Sequence, residues 1–353
     1  MTSYWSVEER ARRLPDSVAK LRYLREAAQG NIEQSRRRKW QLAAAALLSL
    51  TLISPPAKPR DTAVVFISPK PTAAPANVFL IEHKAAGDLY SNGLEILSAF
   101  ATTSTPRAYR AFNRATLHTL ERSTTPAGIV FHTTESLVVP IEPDQVNALS
   151  RNREDVLSHV RRDHLYNFVI DRFGQVFRVV PENQTASHAG HSIWADATSI
   201  YINLNESFIG VAFEMKAGET ATLAQRHAGR LLTEMLRAQY QIPDGNCVTH
   251  AQVSINPDNL RIGFHTDWGG GFPFADMGLA VGYSAHIAAV EVFGFGYDEH
   301  FLEAAGGRPW EGLLAAEQQI LIDAAAHGTL SSRYRTTIQQ QFQTIRRHKN
   351  EEL

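Results

Sequence analysis

Residues 246–274 read NCVTHAQVSINPDNLRIGFHTDWGGGFPF, and the fold turns on how this stretch is carried. Its opening, Cys247-Val248-Thr249, is a short β-like run that ends on His250. The chain then loops through Ser254, Asn256, Pro257 and Asn259 to His265-Thr266-Asp267 and the glycines Gly269 to Gly271. A loop of this length bearing two imidazoles and a carboxylate reads as functional rather than connective. Far upstream, a second apolar run, Gly128-Ile129-Val130-Phe131, ends on His132, followed by Thr133, Thr134 and Glu135. Two histidines at strand ends and a loop carboxylate suit a three-ligand zinc site with an open fourth position. Water takes such a position, so the expected chemistry is hydrolytic.

Working outward, strands alternate with helices. Helices are expected over about 144–162 and 221–240, the second with an apolar stripe at Leu231, Leu232, Met235 and Leu236. Strands are expected at Tyr166–Ile170, Gln175–Val180 and Phe208–Met215, with a turn at Asp171-Arg172-Phe173-Gly174. This pattern predicts an α/β fold: a central mixed β-sheet flanked by helices, spanning residues 126–290. A small N-terminal β unit is expected over 77–125, where Asn92-Gly93 marks a hairpin turn. Residues 291–353 read as a helical C-terminal extension, entered through Phe293-Gly294-Phe295-Gly296-Tyr297. That glycine-rich run is no nucleotide loop, because no GxGxxG opens a helix after a strand.

The N-terminal part reads as a targeting device. Residues 1–39 form a basic tail ending in Arg36-Arg37-Arg38-Lys39, and an apolar run follows over 40–53. It is shorter than the roughly 20 residues a spanning helix prefers, and Ser54-Pro55-Pro56 stops it. A basic flank, an apolar segment and a proline stop are the layout of a signal anchor or short transmembrane segment. Residues 54–76 are a Pro-rich linker. The expectation is a bacterial cell-envelope protein, exported or held at the inner membrane, with its chemistry in the periplasm.

The 353 residues are enough for a substantial core, and 44% hydrophobic with 20% charged residues is ordinary for a globular chain. A net charge of -1 gives no sign of a nucleic-acid partner. The single cysteine, Cys247, excludes an internal disulfide framework and reads as core, pointing away from His250. There is no GxSxG for a serine hydrolase.

Several stretches, in order, resemble the type-2 N-acetylmuramoyl-L-alanine amidases, a zinc family that includes the peptidoglycan recognition proteins. Ile129-Val130-Phe131-His132-Thr133-Thr134-Glu135 resembles its first ligand strand, and Tyr166 to Gly174 its tyrosine-bearing hairpin. Ser187-His188-Ala189-Gly190 resembles its His-Ala-Gly loop, and Ser207-Phe208-Ile209-Gly210-Val211 its Ser-Ile-Gly-Ile strand. Val248-Thr249-His250 and Asp267 to Phe274 resemble the second ligand strand and the closing segment.

The resemblance implies Zn2+ held by His132, His250 and Asp267. His265 is a rival third ligand, because the gap from His250 to Asp267 is long and Trp268 stands where proline is common. It implies peptidoglycan or muropeptides as the substrate and the bond between N-acetylmuramic acid and L-alanine as the one cleaved. The family's glutamate follows its Ile-Gly-Ile strand, but here Ala212 occupies that place. Glu214, on the same strand face, is then the expected base, with Glu135 as the rival. Tyr166 and His188 are candidates to steady an oxyanion, and His188 and Trp194 to contact substrate. A different class of function, a non-catalytic peptidoglycan-binding module, stays open because of Ala212.

Overall fold

The computed structural model describes residues 77–351, apart from 217 and 298. In chain order the strands are β1 (Leu80–Lys84), β2 (Gly87–Tyr90), β3 (Glu95–Leu97), β4 (Tyr109–Asn113), β5 (Thr119–Ser123) and β6 (Gly128–Thr133). They continue with β7 (Phe168–Ile170), β8 (Val176–Arg178), β9 (Ile193–Ala195), β10 (Ser199–Ile202), β11 (Phe208–Phe213) and β12 (Cys247–Thr249). The longer helices are α1 (Val146–Asp163), α2 (Leu223–Tyr240), α3 (Glu311–Ala326) and α4 (Ser331–Glu351).

The central sheet has the order β1-β2-β3-β8-β7-β11-β6-β12. It is mixed: β7, β11, β6 and β12 run parallel to one another, while β8 is antiparallel to β7. Parallel strands covered on both faces need apolar residues at every position. The runs GIVF and FIGVAF meet that need, and every residue of β6 and β11 is buried. One face carries Ile129, Phe131, Val211 and Phe213, packed against Leu232, Met235 and Leu236 of α2. That helix begins at a full capping box, Thr222 with Gln225. The opposite face presents Val130, His132, Gly210 and Ala212, by the period-2 alternation of a strand. On this side Leu157 and Val160 of α1 cover Val169, Phe177 and Val179.

The small β unit expected over 77–125 does not form a body of its own. β1 to β3 extend the central sheet through the parallel β3–β8 pair. β4 and β5 join β10 and β9 in a separate four-stranded sheet. The Asn92-Gly93 turn does join β2 to β3, with Gly93 at φ +85°. The C-terminal helices also belong to the core: Phe342 of α4 packs on Phe293 and Phe295. No helix among the described residues is long and apolar enough to cross a membrane. The apolar run at 40–53, with its flanks, lies outside the described residues.

Candidate metal centre

The site sits at the carboxyl ends of two adjacent parallel strands. β6 carries His132, and β12 delivers His250 one residue beyond its end. Thr249 pairs with Phe131, so the next residues along, His250 and His132, lie side by side. Their rings stand 4.5 Å apart at 60°. Asp267 comes from the long loop, and its two oxygens divide between them: Oδ1 is 2.9 Å from His250 Nδ1 and Oδ2 is 3.2 Å from His132 Nδ1. One donor atom from each of the three lies within 4.8 Å of the others.

The loop is pinned where it matters. Trp268, next to Asp267, takes a left-handed φ of +57°, which a bulky residue adopts only under constraint. The constraint is visible: its indole N–H donates to the His132 carbonyl at 2.9 Å, and its ring packs edge-on to Phe213 and Phe272. Tyr283 donates its hydroxyl to the Trp268 carbonyl, and Trp310 donates its indole N–H to the Gly269 carbonyl. Trp310 belongs to the C-terminal extension, which therefore braces the ligand loop. Sequence reading missed both indoles, since tryptophan at either position reads equally well as core.

Whether these residues fit a metal is decided by their protons. His188 Nε2 lies 3.3 Å from the Phe208 carbonyl, and a carbonyl only accepts, so that nitrogen carries the proton. Burial, and then the neighbouring His132, hold His188 well below the usual imidazole range, so it is neutral and its Nδ1 is an acceptor. His132 Nε2, 3.1 Å from that Nδ1, must then be the donor. Burial, and next the neighbouring His250, push His132 down to about 4, so it too is neutral.

His132 Nδ1 faces Asp267 Oδ2. Burial by itself would raise this carboxyl, but His250 and His132 outweigh it and keep Asp267 well below the usual carboxylate range. Ion pairing with His132 would require the protonated imidazole, which burial opposes. The donor set fits a metal ion: a neutral His132, a second imidazole from His250 and an ionised carboxylate, with His188 hydrogen-bonded behind His132.

The other expected site residues divide. Tyr166 lies against His132, ring centroids 5.1 Å apart, and burial followed by the charges of Asp267 and Glu135 keeps it a phenol. His265 is exposed and stacks on the His250 ring at 4.7 Å and 17°; it is not in the three-residue group. Glu135 is exposed, at φ +51°, and accepts from the Thr133 hydroxyl.

Glu214 is buried, and its carboxylate is taken by Asn152 Nδ2 at 2.9 Å and the Arg172 N–H at 3.4 Å. Ala212 is the residue in register with His132. His188 is buried, with Nδ1 at His132 Nε2 and Nε2 at the Phe208 carbonyl. Trp194 lies elsewhere in the fold. It is buried in β9, and its indole donates to Asn246 Oδ1, at the opposite ends of β6 and β12. Cys247 is buried as expected, and burial pushes its thiol up to about 12.

Residues 122–269 match the family model described as N-acetylmuramoyl-L-alanine amidase. Among solved structures the chain is similar to the N-acetylmuramoyl-L-alanine amidase LysC from Clostridium intestinale, at 21% identity over 52% of this chain and 93% of that one, TM-score 0.31. It is similar to the amidase AmiD from E. coli, solved with a substrate, at 20% identity over 45% of this chain and 59% of that one, TM-score 0.32. It is also similar to the Drosophila peptidoglycan recognition protein SD, at 17% identity over 44% and 85%, TM-score 0.28. No curated protein matches the chain.

Proposed function

We propose, on the premise that residues 122–269 belong to the N-acetylmuramoyl-L-alanine amidase family, that this chain hydrolyses the amide bond between N-acetylmuramic acid and L-alanine in peptidoglycan or its fragments. The observation that carries the reading is the convergence of His132, His250 and Asp267, with one Asp267 oxygen at His132 Nδ1 and the other at His250 Nδ1. His132, His250 and Asp267 would hold zinc, whose preferred donors these are. When bound, zinc supplies Lewis acidity, which polarises a carbonyl and acidifies water.

The chain's own residues supply the rest. In amide hydrolysis the oxygen of water joins the carbonyl carbon, the C–N bond breaks and a proton passes to the leaving nitrogen. Tyr166, kept protonated beside Asp267, can donate a hydrogen bond to the carbonyl oxygen as charge develops there. Tyr166 feels the charge of Asp267 and then that of Glu135, whereas the charges acting on Glu214 are those of Asp171 and Arg172. We therefore assign the proton transfer to Glu135 in preference to Glu214. For location, the support is the run at 40–53 between a basic flank and a proline-rich linker, which argues for a membrane-attached or exported envelope protein.

One observation favours a second reading, a peptidoglycan-binding module without turnover: Ala212 stands in register with His132 where the resembled strand has glutamate. The deciding experiment is zinc content of the purified full chain together with release of free stem peptide from peptidoglycan and from soluble muropeptides. Peptide release sinks the module reading. Zinc-loaded protein that binds muropeptide and releases nothing sinks the amidase reading.

A further inference from the structure

Glu135 lies just past β6, where the chain turns away from the sheet. The approach to it is fixed by the main chain: the Thr134 N–H donates to the Phe213 carbonyl at 2.9 Å and the Glu135 N–H to the Met215 carbonyl at 3.0 Å. Glu135 itself takes a left-handed φ of +51°, which a non-glycine residue keeps only when the structure on both sides imposes it. Downstream, packing imposes little. Leu137 is 74% and Ile141 52% exposed, and Ile141 borders an open cavity of about 540 Å³ with Val146, Leu149 and Phe173.

One side chain closes this exit. Arg172 Nη1 donates to the Val139 carbonyl at 2.6 Å. Among the described residues it is the one hydrogen bond tying residues 137–142 to a distant part of the chain. Arg172 is itself seated at the main chain. Its N–H donates to Glu214 Oε2 at 3.4 Å, and its carbonyl accepts from the Thr222 hydroxyl at 2.9 Å. Glu214 Oε1 is in turn held by Asn152 Nδ2 at 2.9 Å. The turn around Arg172 is closed by Asp171 Oδ1, which accepts from the Phe173 and Gln175 N–H groups. The guanidinium therefore reaches the loop from a fixed base.

We propose that Arg172 is a positioning residue for Glu135: through Val139 it clasps the loop that follows His132 and keeps the Glu135 carboxylate on the Tyr166 side of the site. Glu214 then serves as the acceptor that seats the Arg172 main chain. This rests on the assignment of proton transfer to Glu135 above. The bond is charge-assisted, and so stronger than one between neutral groups. A carboxylate displaced by about 1 Å from its working place can cost on the order of 10²-fold in rate. A side chain that only stabilised the fold would change the amount of folded protein and leave the rate per zinc-loaded molecule alone.

The test uses the full, zinc-loaded chain and stem-peptide release from a soluble muropeptide. Arg172→Met keeps the apolar stem and removes the donor. It should retain zinc and KM while kcat falls roughly 10–100-fold. Arg172→Lys still offers one donor to one carbonyl and should keep most of the rate. In a Glu135→Gln background, Arg172→Met should cost little more, because a residue that acts through Glu135 has nothing left to position. Chymotryptic cleavage after Leu137, located by mass spectrometry, reads the clasp without turnover and should quicken in Arg172→Met.

Equal kcat in wild type and Arg172→Met overturns the proposal, and so does an undiminished further loss in the Glu135→Gln background. Wild type that releases no peptide, or Glu135→Gln with full activity, is instead a failure of the amidase or the proton-transfer reading. Cleavage then judges the clasp alone: equal rates after Leu137 in wild type and Arg172→Met overturn it. Should Arg172→Met fail to fold, rapid cleavage after Leu137 in folded wild type overturns the clasp without a variant, and resistance there upholds it.

Discussion

The indole nitrogen of Trp268 and the carbonyl oxygen of His132 lie 2.9 Å apart, in a hydrogen bond that joins the two chain segments contributing metal-ligand candidates. The bond runs from the neighbour of one ligand to the backbone of another, so it sets the distance between them. Trp268→Phe keeps an aromatic ring against Phe213 and Phe272 but removes this one buried hydrogen bond, at a cost of about 0.5–1.5 kcal/mol. Stability should drop by that amount, and zinc affinity should fall as Asp267 gains freedom. Chemical unfolding and chelator competition measure the two. An unchanged zinc affinity would show that the loop is placed by Tyr283 and Trp310 alone.

The ligand assignment separates Asp267 from His265. Asp267→Ala leaves two protein donors and should abolish zinc binding, whereas His265→Ala removes only a ring stacked on His250 and should keep the metal. Metal analysis after dialysis reads both. Loss of zinc from His265→Ala with retention in Asp267→Ala reverses the assignment.

Much of this centre is legible in the sequence because its parts are local. The runs before His132 and His250 are short, apolar and β-branched, and parallel central strands require that composition. Thr222 and Gln225 announce the start of α2 at their capping spacing. The supports of the centre are not local. Arg107, about 80 residues before His188, is buried and donates Nη1 to the Phe208 carbonyl that also meets His188 Nε2, yet nothing near it in the sequence suggests burial. Trp194, in sequence a candidate to contact substrate, follows the His-Ala-Gly loop by a few residues. Strand alternation cannot say which end of a sheet such a residue reaches, and β9 carries it to the far one. The 77–125 segment looked separate because its hairpin is complete in itself; the pairing of β3 with β8 is a long-range choice that the hairpin does not encode.

Acid should destabilise the metal-free fold through His132. Its folded value is depressed to about 4 from an ordinary 6.5, so protonation favours the unfolded chain. The stability is fully present above 6.5 and is lost as the pH falls towards about 4. The loss amounts to about 3 kcal/mol from this group. His188 is shifted in the same direction and adds to the loss. Zinc, which binds the deprotonated ligands, should protect at neutral pH and lose its effect through the same window. Thermal melting of metal-free and zinc-loaded protein across that range is the measurement. A metal-free melting temperature that does not fall through it contradicts neutral, buried histidines.

The proton-transfer group is where this chain departs most from the strand it resembles. Ala212, level with His132, has no carboxylate to offer. Glu214 sits two residues on, about 6.6 Å along an extended strand, and is held by Asn152 and the Arg172 amide. Glu135 follows His132 on a left-handed loop residue, exposed and on the Tyr166 side. Glu135→Gln keeps the shape but cannot accept a proton. It should retain zinc while losing roughly 10²–10⁴-fold in the rate of stem-peptide release. Glu214→Gln places an amide where two donors now point, so its main effect should be on stability, with turnover per folded molecule largely kept. Rates normalised to zinc content separate the two. The reverse pattern, with Glu214→Gln folded, zinc-loaded and inactive, would move the base to Glu214. Full activity in both would leave Tyr166 as the next group to test, through Tyr166→Phe.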